Sequence, residues 1–406
     1  MPEAVIVATA RSPIGRADKG TLINARPDDL GATIVKAALK EVPQLKPSEV
    51  EDLLIGCGQP AGESGYNVAR VISLLAGLEH VPGVTVNRYC SSSLQTIRMA
   101  AHAIKAGEGD VFVAGGVETV SRYKNGFSDS GPHHEAFQKA EHRTLERSAG
   151  GGKDWTPLEG SLPDIYIAMG QTAENVAEKE KVSREEQDKF AALSQQRATK
   201  ALENGYWEHE ITPIETTDAE GNKVTVSKDD GIRAGTTEEK LAGLKPVFRP
   251  DGTITAGNAC PLNDGAAAVV VMSDTKAKQL GIKPLARVVS SGVTALNPEI
   301  MGLGPVEACR QALKRAKMTI KDIDLVEINE AFAAQVVPSA KQLDIPWDKL
   351  NVNGGSIALG HPFGMTGARI MTTLIHNLQT EDKTYGLESM CVGGGQGMAM
   401  VIERLK

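Results

Sequence analysis

The chain has 406 residues, too many for one ordinary core, so two or three packed units are expected. Its 41% hydrophobic and 23% charged composition is that of a globular protein, and a net charge of −7 argues against nonspecific nucleic-acid binding. No apolar run reaches the ~20 residues that cross a bilayer, and residues 1–10 carry no basic lead or cleavage site, so neither membrane insertion nor export is expected.

The first element is a strand in AVIVATA. EVEDLLIG and VTVN follow as short β-branched strands. Next comes a helix over 91–105, whose Leu94, Ile97, Ala101 and Ile104 form an apolar stripe. DVFVAGG then reads as a buried strand entering a glycine turn. From 121 to 249 the texture changes. KNGFSDSGPHHEAF and SAGGGKDWTPLEG look like a long loop excursion, and 121–167 is the stretch expected to shape a pocket. Within it, 173–202 reads as helical, with Glu178, Lys181, Glu185 and Lys189 forming a solvated charged face.

Residues 250–273 return to the first half, and 274–406 repeat its plan. DIDLVEIN is a strand, NVNGG another, 362–378 a helix opened by Pro362, and a last strand ends in CVGGG. Cys90 lies 38 residues after Asp52 (90 − 52), and His361 lies 37 after Asp324 (361 − 324). Matching type, order and spacing imply a duplicated α/β protein with two halves, 1–120 and 274–406, and an inserted loop domain, 121–249.

Five cysteines, at 57, 90, 260, 309 and 391, form no C-x-x-C pair, so neither a disulfide framework nor a zinc site is indicated and a reducing cytoplasmic setting fits. Cys90 sits where a strand meets a helix start. Free N–H groups and the helix dipole there would lower its pKa and make it a nucleophile; otherwise it is a buried structural cysteine. His361 lies between glycines at the matching place in the second half, and two facing halves would bring both helix starts together. Cys391 precedes Gly393, Gly394 and Gly395, where backbone packs against a ligand or makes a plain hairpin turn. Asn329 and Glu330 interrupt a strand and need hydrogen-bond partners, supplied either by a site or by a cap. His133, His134 and His142 lack metal-ligand spacing; they are expected in solvent, with no metal.

Taken together, NRYCSSSLQ, INEAFA, NVNGGSIALGHP, CVGGGQG, MGQTAENVA and TITAGNACPLNDGAAAV resemble the thiolase family over nearly the whole chain. The resemblance implies two five-stranded mixed sheets in an αβαβα layering, a loop domain covering a coenzyme A site, and a homodimer or homotetramer. It implies that Cys90 is acylated, His361 activates it, and Cys391 moves the α-proton. His361 and an Asn329-held water would face one oxyanion, and the Cys90 and Gly393 N–H groups the other. It also places Arg233, Leu244, Ala256, Cys260, Met169 and Phe332 along the path of coenzyme A, which is a substrate; no tightly bound cofactor is implied. Ala168 stands where acetoacetyl-specific members carry histidine, and Cys260 where many have serine, so chain length is left open. The sequence alternatives are a decarboxylating ketosynthase-type enzyme and a noncatalytic acyl-CoA-binding protein.

Overall fold

Period-two alternation assigns each strand two cores. In the computed structural model, which describes residues 2–150 and 154–406, strand β1 (Ala4–Arg11) sends Ala4 and Ile6 into a central core and Val5 and Val7 into an outer one. Residues 151–153, in the glycine-rich part of the predicted loop, and residue 1 lie outside the described residues. Strands β2 (Asp52–Gly56), β3 (Gly83–Val86), β4 (Val111–Thr119) and β5 (Asn263–Ser273) complete the first sheet in the order β3-β2-β4-β5-β1. The second sheet has β6 (Ala286–Ala295), β7 (Leu325–Ile328), β8 (Tyr385–Val392) and β9 (Gln396–Arg404) in the order β7-β8-β9-β6.

The two sheets repeat one pairing scheme. β2 runs parallel to β4 and β7 parallel to β8, and the remaining ladders towards β1 and β6 are antiparallel. β1 and β6 then join edge to edge through Val5–Arg287 and Ile6–Ala286. The counterpart of β3 in the second half is shorter than expected. NVNGG forms no strand; only a single bridge, Val326 to Leu350, survives, because Asn351 has φ 45° and turns the chain.

Helix α1 (Pro27–Lys40) covers the outer face of the first sheet. Helices α2 (Ser92–Ala106) and α7 (Thr366–Thr380) lie side by side between the two sheets, sharing one core with β1, β5, β8 and β9. Leu94, Ile97, Ala101 and Ile104 are buried as their spacing requires, each such side chain contributing roughly 1.5–3 kcal/mol where fully buried and large. Helices α5 (Gly304–Ala316) and α6 (Ala333–Gln342) cover the outer face of the second sheet. The result is the duplicated helix–sheet–helix–sheet–helix layering.

Residues 173–202 do not form one helix. They fall into α3 (Met169–Glu180) and α4 (Arg184–Glu203), broken at Lys181 (φ 54°) and restarted by a Ser183/Glu186 capping box. Nor is Glu178 part of a solvated face: it accepts from Arg249 Nη1 at 2.5 Å and from Trp155 N at 3.1 Å, and it pairs with Arg147. α7 begins at Thr366 rather than at Pro362. The intervening turn is needed because Gly364 packs its backbone against Gly116 of β4 too closely for a Cβ between them.

Candidate active site

Cys90 lies in a single 3-10 turn, Tyr89–Ser91, between β3 and α2. Tyr89 is held at φ 43°, a left-handed conformation unfavourable for a bulky residue, and such strain concentrates at functional turns. The turn aims Cys90 at Gly393, whose N–H hydrogen-bonds the Cys90 sulfur, as does the N–H of Cys90 itself. Gly393 follows β8, in a loop where Gly394 and Gly395 both adopt φ 76°.

The expected low pKa of Cys90 is not what the fold delivers. Burial pushes the thiol up to about 11; the two N–H groups pull it down and Glu118 adds to the rise, but burial prevails. The helix-end argument was sound for the N–H groups and missed the cost of enclosing a thiolate between two half-molecules.

Cys391 is fully buried. Alternation along β8 sends Met390 and Val392 into the central core and Cys391 the other way, into an apolar cluster with Phe332, Ala331 and Met301 against which Met169 and Cys260 pack. Burial and the neighbouring thiols of Cys90 and Cys260 raise its pKa well above the ordinary value. Cys260 is pulled close by a backbone link: its N–H donates to Ala331 O at 3.0 Å, and Ala333 N donates to Asn258 O at 2.8 Å. Three thiols thus share one enclosure.

His361 enters from the other half. The first turns of the central helices are stitched by Ala368 N donating to Ser93 Oγ at 2.9 Å, and His361 N donates to Asn263 Oδ1 at 2.9 Å. Thr366 Oγ1 donates to Pro362 O at 2.7 Å, so it can only accept from His361 Nδ1, 2.6 Å away. The ring therefore holds its proton on Nδ1 and its lone pair on Nε2. Asn329 Nδ2 donates to that Nε2 at 3.2 Å. The amide is oriented by Ser356, which accepts from Arg369 Nη2 at 2.9 Å and gives its proton to Asn329 Oδ1 at 2.6 Å. Burial, reinforced by Arg369, lowers His361 to about 3, so the imidazole is neutral at rest.

Two buried carboxyl groups hold these pieces in place. Glu330 accepts from Ser194 Oγ of α4 (2.6 Å), Asn351 Nδ2 (2.8 Å) and Ile357 N (3.0 Å), fixing the segment that leads to His361. Glu118, at the end of β4, accepts from Gly58 N (2.7 Å), Tyr123 Oη (2.8 Å) and Gly364 N (2.8 Å), joining the first half to the turn after His361. Sequence reasoning flagged Glu330 but missed Glu118, Thr366, Ser356 and Arg369. The polar residues in GHPFGMTG and the acid closing VAGGVE were the available signals.

Two cavities flank the enclosure. One, of about 450 Å³, is lined by Cys90, Gly393, Met169 and Phe363. The other, of about 390 Å³, is lined by Arg233, Leu244, Ala256 and Cys260. Phe332 lines neither; it is buried between them, its ring 6.1 Å from that of Phe248. The loop histidines are exposed, as expected; His133 also stacks on Tyr166 at 3.8 Å and lines the first cavity. His134 caps a short turn, and His142 is exposed beside Glu146.

Comparison with known proteins gives the family. The family description "Thiolase, N-terminal domain" matches residues 4–275, and "Thiolase, C-terminal domain" matches 282–404. A 3-ketoacyl-CoA thiolase of Bacillus subtilis is 44% identical over 99% of this chain and 100% of its own. A beta-ketoadipyl-CoA thiolase of Acinetobacter baylyi is 43% identical over the full length of both chains. The crystal structure of the Bacillus anthracis acetyl-CoA acetyltransferase superposes with a TM-score of 0.86 at 43% identity, covering 100% of this chain and 99% of that one. The chain belongs to the thiolase family, and its class of reaction is thiolase-type acyl transfer.

Proposed function

We propose that the chain interconverts a 3-ketoacyl-CoA plus coenzyme A with acetyl-CoA plus a shortened acyl-CoA, through an acyl group carried on Cys90. The observation that supports this most is the fixed tautomer of His361, a bare Nε2 held by Asn329, beside the start of the central helix that is bonded through Ala368 to Ser93 of the helix following Cys90. In the cleavage direction, His361 Nε2 takes the Cys90 proton and the sulfur attacks the 3-keto carbon. The N–H groups of Cys90 and Gly393 stabilise the resulting oxyanion. As the Cα–Cβ bond breaks, the enolate of acetyl-CoA takes its proton from Cys391. The enolate oxygen is held on the other side by His361, whose Nε2–H has just been gained, and by a water on Asn329. Cys391 then takes the proton of the incoming coenzyme A thiol, and that thiol removes the acyl group from Cys90, which recovers its proton from His361.

Coenzyme A would lie along the 390 Å³ cavity, with Arg233 near its phosphates and Leu244, Ala256 and Cys260 along the pantetheine path, Phe332 and Met169 lying beyond Cys260 in the cluster around Cys391. The loop domain, 121–249, would cover this site. A homodimer or homotetramer is proposed from the open edge of β3, beside which Tyr66, Leu74 and Leu75 are exposed. A cytoplasmic location suits five free cysteines. The test is incubation with acetoacetyl-CoA and coenzyme A. Acetyl-CoA should form and an acetyl group should be found on Cys90 by mass spectrometry. Full turnover by Cys90→Ser would sink the proposal.

A further inference from the structure

The 450 Å³ cavity falls within the ~300–1,000 Å³ that accommodates small-molecule ligands, far more than the methyl group of an acetoacetyl chain fills. Its walls beside Cys90 are apolar: Tyr89, Ile165, Ile167, Met169 and Phe363. One ordered carboxylate faces it. Asp129 Oδ2 accepts from Gln59 Nε2 at 2.7 Å, and Gln59 Oε1 in turn accepts from Asp129 N at 2.9 Å, so the pair locks itself in place. The Tyr89 hydroxyl also hydrogen-bonds Asp129, tying that carboxylate to the residue next to the nucleophile. Among the described residues that line the cavity, none is lysine or arginine. The one base, His133, has Nδ1 2.7 Å from Glu141 Oε2, so any positive charge it carries is already matched.

A chain ending in a carboxylate would therefore meet a like charge and no compensating cation. We propose that this cavity is an acyl pocket for uncharged 3-ketoacyl chains longer than acetoacetyl, and that Asp129 excludes acyl groups ending in a carboxylate. The inference rests on the thiolase reaction proposed above and adds its substrate class. It also separates this chain from one of two kinds of activity its equally similar relatives are named for. Asp129 is exposed to solvent, so screening keeps the discrimination moderate.

The experiment is kcat/KM for thiolysis of acetoacetyl-CoA, 3-ketooctanoyl-CoA and 3-ketoadipyl-CoA at low ionic strength. The unaltered protein should favour 3-ketooctanoyl-CoA over 3-ketoadipyl-CoA by about tenfold or more and over acetoacetyl-CoA by a smaller factor. Asp129→Asn should narrow the first ratio by about threefold or more, and Asp129→Lys should narrow it further. Equal rates with the two longer substrates, turnover of acetoacetyl-CoA alone, or a ratio unmoved in both variants would overturn the inference while leaving the thiolase reaction standing. Failure to cleave any of the three would overturn both.

Discussion

His361 and Thr366 fix each other's protons: Nδ1 lies 2.6 Å from Oγ1, and Oγ1 has already given its hydrogen to Pro362 O. The hydroxyl acts on the chemistry only through the ring, by keeping the lone pair on the face that meets Asn329. Thr366→Val removes the acceptor and releases the tautomer. It is expected to lower kcat about tenfold to a hundredfold, part of the ~10²–10⁴ that a placed base supplies, with KM little changed. Thr366→Ser should restore most of the rate. A Val variant with unaltered kcat would show that the tautomer does not matter.

Cys90 and His361 each rest neutral, since burial holds the thiol at about 11 and the imidazole at about 3. The thiolate fraction of the free enzyme is then small at neutral pH and grows with pH until about 11. Alkylation of Cys90 by iodoacetamide should accelerate steadily from pH 7 to pH 10, by about tenfold per unit where the thiolate is the reacting species. A plateau at neutral pH would instead reveal a preformed thiolate–imidazolium pair.

The features legible in the sequence were those with a local cause. Leu94, Ile97, Ala101 and Ile104 declared a helix and its buried face because side-chain direction follows the helical period. Cys90 and His361 were legible as holding matching places, each before a central helix, although the strand preceding His361 shrank to one bridge at Leu350. Hydrogen bonds across the fold left no such trace. Glu118 meets Gly364 at a separation of 246 residues, and Ser194 meets Glu330 at 136, with no periodic pattern to announce either. The pKa of Cys90 was misjudged for the same reason: its N–H donors are local, and the residues that bury it are not.

Gly116 shows how tightly the two halves are fitted beside the site. A Cβ there would overlap the Gly364 carbonyl, three residues after His361, whose own N–H is held by Glu118. Gly116→Ala must push that turn away, and overpacking of a fitted interior costs about 1–3 kcal/mol. Urea titration should show a loss of that size, and activity should fall by more than the unfolded fraction explains. A stable, fully active variant would mean that the turn can shift without moving His361.

Arg11 joins β1 to Glu210 and Asp229, about two hundred residues further along the chain. It is fully buried, donating from Nε to Glu210 Oε2 at 2.8 Å and from Nη1 and Nη2 to the Asp229 carboxylate at 2.9 and 3.0 Å. Burial pushes the Glu210 carboxyl up, but Arg11 and His376 outweigh it and bring the pKa down to about 2 from 4.5. A carboxyl with a lower pKa folded than unfolded adds stability that is complete above 4.5 and is lost as pH falls towards 2. Arg11→Met should leave the buried Glu210 and Asp229 carboxylates without their shared guanidinium, at a cost of about 3–5 kcal/mol at neutral pH. Because Glu210 then favours protonation, the penalty should shrink as the pH is lowered from 7 to 4. Denaturant midpoints of both proteins across that range check the sign. A difference that widened on acidification would mean that Arg11 is not what holds Glu210 ionised.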